Sequence, residues 1–371
     1  MPIRNDKMES HTSQRPADTG YVLSRRRFLR HTILSSGAAS LPLTLLPEGW
    51  SWDMKPMRKC RIHGGLWWVH ADMRTANETF WREQVRYQKS AGFDYLWLCS
   101  TTQVIQALNQ GAPLDPYPIL MDEAEKNGME VFLETHTSPS WWVNVDWEKE
   151  KKSNTALIPE LAARYASHPA FKGWYLGYET HHAEGEYGIA YKDLLVHVRK
   201  QCRLAAPDKP VLISPFFLLD REGLLGFRWI PPDEFSQFWA DMLASSGIDI
   251  LALQDSGEHL ACYSIEERRP FLQAGLEACQ QTGKSFWVNV ETGELGLESV
   301  AEYKEHRAEI DLGGVGKYWQ RVPLEKLAEK IGLACQFSDR LLTWGYAEYW
   351  RPHLGAAAKD YYDRYLAWVK Q

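Results

Sequence analysis

Two short runs, Gly173-Trp174-Tyr175-Leu176-Gly177-Tyr178-Glu179 and Ser285-Phe286-Trp287-Val288-Asn289-Val290-Glu291, each read as an aromatic and β-branched strand that ends on one carboxylate. Strands of that composition belong in a parallel sheet covered on both faces, and a Glu at the end of one sits where the sheet opens to solvent. Two carboxyl groups brought to one cleft can divide the work of glycoside hydrolysis. One protonates the leaving oxygen; the other attacks the anomeric carbon or activates water. Around this pair the sequence offers further polar groups at strand ends: Glu134, His136, His181, His182, Gln254, Asp255, His259 and Asn289. Asp255 has three possible uses, to orient Glu291, to bind a sugar hydroxyl or to act as a base. Glu134 fits either a ligand contact or a hydrogen-bond partner behind the site.

The elements that must position these groups follow from alternation along the chain. From residue 60 onward, short apolar runs alternate with amphipathic stretches, the pattern of repeated βαβ units. Strands are predicted at residues 60–66, 93–99, 130–133, 173–178, 210–217, 248–253, 285–290 and 341–346, with a last helix over about residues 355–369. Gly92 and Asn127-Gly128 mark helix ends before the second and third strands. Eight such units with right-handed crossovers close into a (β/α)8 TIM barrel, an α/β fold in a single domain spanning residues 55–371. An open doubly wound sheet would carry a glycine-rich phosphate loop after its first strand. Here Gly64-Gly65 is only a pair, so no nucleotide or other cofactor is expected.

Composition narrows the partners. Asp and Glu number 48 against 42 Lys and Arg, and no basic stripe is interleaved with aromatics, which argues against nucleic acid. The 17 tryptophans are several times the usual share. Indole faces stack on sugar C–H surfaces, so Trp67, Trp141 and Trp142, with Tyr346 and Trp350, are candidate sugar contacts, although many of the tryptophans must simply pack the core. The six cysteines show no metal-ligand spacing. A disulfide is compatible with them, and its pairing stays open.

Near the start, Ser24-Arg25-Arg26-Arg27-Phe28-Leu29-Arg30 followed by a weakly apolar stretch matches a twin-arginine export signal. Residues 1–54 are therefore expected to be a leader with a disordered segment, with the mature chain starting between residues 40 and 54. The expected partners are a carbohydrate substrate and, during export, the twin-arginine translocase. The expected place of work is the periplasm or the extracellular space, with no stable membrane span.

At the level of motifs the chain resembles the large clan of TIM-barrel glycosidases whose acid/base Glu ends strand four and whose nucleophile Glu ends strand seven. Gly173-Trp174-Tyr175 leading to Glu179, Asp249-Ile250-Leu251-Ala252-Leu253-Gln254-Asp255 and Trp287-Val288-Asn289-Val290-Glu291 are more closely similar to a family of glycosyl-hydrolase-like barrels known as a domain of unknown function. The resemblance spans about residues 61–368. It implies Glu179 as general acid/base and Glu291 as nucleophile or stabiliser of the oxocarbenium-like centre, with no cofactor and no metal. The clan commonly carries Asn directly before its strand-four Glu, where this chain has Tyr178. Two other functions fit the same barrel. A metal-dependent sugar isomerase or epimerase would use Glu134, Glu179, Asp255, His259 or Glu291 around a divalent ion, but the fifth strand ends in Ser214-Pro215-Phe216 without a carboxylate. A non-catalytic glycan-binding barrel would keep the aromatic cleft alone.

Overall fold

The computed structural model describes residues 60–69, 76–138, 141, 144–224, 226–255, 261–310 and 317–370. The leader, Trp142 and His259 lie outside these described residues. Eight parallel strands close a barrel: β1 (Gly64–Trp68), β2 (Tyr95–Cys99), β3 (Glu130–Glu134), β4 (Phe171–Leu176), β5 (Val211–Ile213), β6 (Ile250–Gln254), β7 (Ser285–Asn289) and β10 (Leu341–Thr343). Between them run α1 (Glu78–Ser90), α2 (Thr101–Asn109), α3 (Pro116–Lys126), α4 (Trp147–Tyr165), α5 (Gly185–Ala205), α6 (Pro232–Ser246), α7 (Arg269–Thr282) and α9 (Leu324–Ala334), and α10 (Ala356–Lys370) closes the chain. The (β/α)8 expectation therefore holds. An antiparallel pair, β8 (Gly293–Leu295) and β9 (Trp319–Arg321), with the short α8 (Val300–His306) between them, is inserted after β7 and was not foreseen from the sequence.

Strand alternation decides which residues face the axis. Leu66, Trp97, Phe132, Tyr175, Leu212, Ile250, Ala252, Trp287 and Leu342 fill the barrel interior, while the alternate residues Trp67, Leu96, Leu133, Trp174, Leu251 and Val288 pack outward under the helices. The interior is thus a packed core whose upper layer can carry chemistry only at the strands' C-terminal ends. Helix starts are fixed locally: Asn77, Asp115 and Asp146 each accept a hydrogen bond from a backbone N–H of the first turn, of Phe80, Tyr117 and Lys149 respectively.

Several strand boundaries differ from expectation. The fourth strand stops at Leu176, so Gly177-Tyr178-Glu179 form a turn above it, with the Glu179 N–H donating to the Gly177 carbonyl. The eighth stops at Thr343, because Gly345 takes φ 88° and opens a π-helical turn, Tyr346–Trp350. A side chain at Gly345 would also meet Thr292 Oγ1 at 2.6 Å. Cys60, ahead of β1, is joined by a disulfide to Cys335 at the end of α9, with their Cα atoms 6.0 Å apart. Among the described residues, Cys99, Cys202 and Cys279 are buried thiols and no helix is long and apolar enough to cross a membrane.

Candidate active site

Glu134 is the last residue of β3 and shares the inward face with Phe132. Its carboxyl meets the start of α2, where the Ser100 N–H donates to Oε2 at 2.7 Å. Ser100 makes that contact in the left-handed region, φ 69°, the one non-glycine among the described residues to do so. The helix N-terminus favours an anion, yet enclosure by protein dominates. Glu134 keeps some exposure as a residue, but its carboxyl is withdrawn from water, and the charge of Glu179 adds to the effect. Together they push its pKa from 4.5 up to about 8, against the lowering by the Ser100 and Thr101 N–H groups.

Glu179 follows the turn at Gly177, which passes close to Glu134. A Cβ at Gly177 would lie 3.0 Å from Glu134 Oε1 and 2.6 Å from Thr137 Oγ1, so only glycine lets the β4 turn pass there. From the barrel interior, the Tyr175 hydroxyl donates to Glu179 Oε1 at 2.7 Å. Burial first, and then the charge of Glu179, push the Tyr175 pKa far up, which keeps that donor protonated. Tyr178 turns the other way. Its hydroxyl donates to Glu150 Oε2 at 2.8 Å and accepts from Asn154 Nδ2 at 2.7 Å in the layer of α4. The side chain that stands where the clan carries Asn is therefore buried behind the barrel wall.

Glu291 follows β7 and is 1% exposed. Its backbone is held on both sides: its N–H donates to Asp255 Oδ1 at 2.9 Å, and its carbonyl accepts from Lys330 Nζ at 2.6 Å. Asp255 is thus bonded to the main chain of Glu291. Glu348 lies on the π-helical turn. The buried Cys99 thiol is pushed up by desolvation and then by Glu134, Glu179 and Glu348, while Tyr349 is raised by burial and then by Glu348 and Glu291. Glu134, Glu179 and Glu348 thus act on Cys99, and Glu348 and Glu291 on Tyr349.

The aromatic side of the mouth is made by Trp68 and Trp344, half-buried and edge to face with centroids 6.3 Å apart. Trp319 of β9 and Tyr349 pack against Trp344 at 5.7 and 6.0 Å. Gln254 and Asn289 end β6 and β7 on inward positions; Gln254 Nε2 donates to the Ser214 carbonyl at 2.6 Å and Asn289 Nδ2 to Ser214 Oγ at 3.1 Å. Both are almost fully buried.

Other expected contacts fall elsewhere. Trp67 has outward parity, is fully buried and packs on Trp81 at 5.7 Å; its neighbour Trp68 takes the inward place. Trp141 is enclosed by Tyr178 and Tyr191. Tyr346 and Trp350 pack against Phe93, and Trp350 also against Tyr365, between barrel and helices. His181 is buried, bonded to the Arg228 carbonyl and set between Phe216 and Phe227. His182 packs on Phe238 beside Glu184 and Glu234. Trp67, Trp141, Tyr346, Trp350 and His181 are buried in these positions, and His182 is half-buried. His63 precedes β1 at the opposite end of the barrel, where the Leu341 N–H donates to its Nδ1. Among the described residues, no group of three or more His, Cys, Asp and Glu is arranged to hold a metal ion.

Residues 62–354 match the model of a family described as "Domain of unknown function (DUF4434)". The chain belongs to the DUF4434 family. No curated protein matches its sequence. Among solved structures, this DUF4434 barrel is similar to a candidate alpha-L-fucosidase from Bacteroides thetaiotaomicron, with TM-score 0.65 and 19% identity over 89% of this chain and 99% of that one. It is also similar to a beta-galactosidase from Marinomonas ef1, with TM-score 0.53 and 10% identity over 83% of this chain and 60% of the other. At these identities the likeness is one of fold. Within the DUF4434 barrel, Trp68 and Trp344 stand at strand ends, as the sequence places them, while Tyr175 and Lys330 are not singled out by it. Counting alternation back from the strand core would have found Tyr175. Lys330 carried a signal too, as a cation three residues from Leu327 on the buried stripe of α9.

Proposed function

We propose that this protein is an exported glycoside hydrolase acting on an oligo- or polysaccharide. What supports the reading is that Glu179 follows β4 and Glu291 follows β7, each just past the C-terminal end of a strand of one closed barrel, the end at which such barrels carry their chemistry. In this reading the Glu179 carboxyl gives its proton to the glycosidic oxygen as the C1–O bond breaks, and its carboxylate is left accepting the Tyr175 hydroxyl. Glu291 faces the anomeric carbon as nucleophile or as counter-charge to the oxocarbenium-like centre, and water completes the hydrolysis. In the same reading Trp68 and Trp344 offer a surface for the sugar ring, and Gln254, Asn289 and Glu348 are assigned to its hydroxyls.

Two further observations support the reading. The fold neighbours are described as glycosidases. The Cys60–Cys335 disulfide suits an oxidising compartment, consistent with export through the twin-arginine route. The test is Glu179→Gln on a panel of aryl glycosides and oligosaccharides, with turnover, melting and binding measured together. Sugar release should fall by about a thousandfold while melting and binding persist, the range expected for loss of a general acid. Unchanged turnover would sink the assignment of Glu179. A wild type that binds sugar and never releases product would favour the glycan-binding barrel. Activity lost to a chelator and restored by a divalent ion would favour the isomerase.

A further inference from the structure

We infer that Lys330, paired with Asp255, is a positioning residue for Glu291, a reading that rests on the proposed role of Glu291 and extends it to residues outside the mouth. Sheet hydrogen bonding on this side ends at Val290, whose N–H donates to the Leu342 carbonyl. One residue later the ladder gives way to an ion pair. Lys330 Nζ lies 3.1 Å from Asp255 Oδ1 and donates at 2.6 Å to the Glu291 carbonyl, while the same Asp255 Oδ1 accepts the Glu291 N–H at 2.9 Å. The peptide units on both sides of the Glu291 Cα are thereby pinned to two different elements, β6 through Asp255 and α9 through Lys330. Asp255 is fixed in turn, its N–H donating to the Asn289 carbonyl at 2.9 Å and its carbonyl accepting Arg268 Nε at 3.0 Å.

This arrangement is costly to bury. Lys330 and Asp255 are 1% and 3% exposed at their side chains, and charges so deep survive only when paired and hydrogen-bonded. An apolar pair would fill the same space, as it does on the rest of the α9 stripe at Leu327, Ile331 and Ala334. What an apolar pair could not supply is a donor and an acceptor aimed at the Glu291 backbone. Lys330 is buried behind Glu291 and bonded to its carbonyl, so its action runs through the main chain of the residue it holds.

Four proteins decide the matter: wild type, Lys330→Met, the apolar double variant Asp255→Leu with Lys330→Met, and the neutral double variant Asp255→Asn with Lys330→Gln. Each is measured for melting, for kcat and KM on a hydrolysed glycoside, and for amide hydrogen exchange in the peptide containing residues 289–292. The clamp predicts that Lys330→Met and the apolar double variant lose kcat by about a hundredfold with little change in KM, the scale expected for a misplaced reacting group. It also predicts fast exchange at Glu291 in the apolar variant, and substantial recovery of both readouts in the neutral variant, which keeps an acceptor and a donor for the backbone. Lys330→Met leaves Asp255 without its cation, so if it fails to fold the apolar variant carries the test. A folded apolar variant with wild-type kcat and wild-type protection at Glu291 overturns the inference. Absence of turnover in wild type would instead remove the glycosidase reading. In that event retained protection in the apolar variant overturns the clamp, and lost protection upholds its hold on Glu291.

Discussion

Tyr175 and Tyr178 stand three residues apart and serve opposite sides of the barrel wall. The first reaches Glu179 from the inner core, and the second anchors Glu150 and Asn154 outside it. Glu134 shows the same sensitivity to place, since a carboxyl at a helix N-terminus would ordinarily be an easy anion. Enclosure and Glu179 instead raise its pKa to about 8. A folded-state pKa above the unfolded one makes stability fall as pH rises from about 4.5 to about 8, with no further loss above. We therefore expect the unfolding free energy of wild type, followed by urea titration at several pH values, to decline across that window more than that of Glu134→Gln. The difference should approach at most about 1.4 kcal/mol per pH unit. Parallel curves would contradict it. At this scale the sequence was legible in part. Glu179, Glu291, Gln254, Asn289 and Glu134 could be named from strand ends, but Trp67 was preferred where Trp68 faces inward, because a shift of one residue in strand register exchanges the two faces.

The elements were the most readable level, for alternating apolar runs of strand and helix period are repeated eight times, and closure follows from handedness. What escaped were departures from the repeat. Gly345 and the π-helical turn after β10 bring Glu348 toward the mouth, and the β8–β9 pair with α8 sets Trp319 against Trp344, yet neither has a periodic signature. The pairing of Cys60 with Cys335 was equally hidden, since six cysteines allow many pairings and only the closed barrel brings the segment before β1 to the end of α9. That link joins residues 275 apart in sequence and ties the opening of the barrel to its last quarter. Cys335→Ser should lower the unfolding free energy by about 2–4 kcal/mol, and reductant should cost wild type a similar amount while leaving the variant unchanged. Equal stability of oxidised and reduced wild type would contradict this.

For the whole molecule, one layered fold explains why chemistry gathers at one end: the interior is packed with Trp97, Phe132, Tyr175 and Trp287, so polar groups are accommodated only above them. Export through the twin-arginine route is part of the proposed function. Replacing Arg25 and Arg26 with Lys should leave the protein in the cytoplasm, seen by cell fractionation with a tag at the C-terminus; unchanged export would remove the twin-arginine assignment. The central claim, however, is that Glu179 and Glu291 act as one unit. Its most direct test is kcat on a single glycoside for Glu179→Gln, Glu291→Gln and the double variant, each shown to be folded. Groups that work on one transition state are not additive, so each single variant should lose about a thousandfold or more and the double variant little beyond the worse of the two. Wild-type turnover in either single variant, or losses that multiply in the double one, would contradict the pairing.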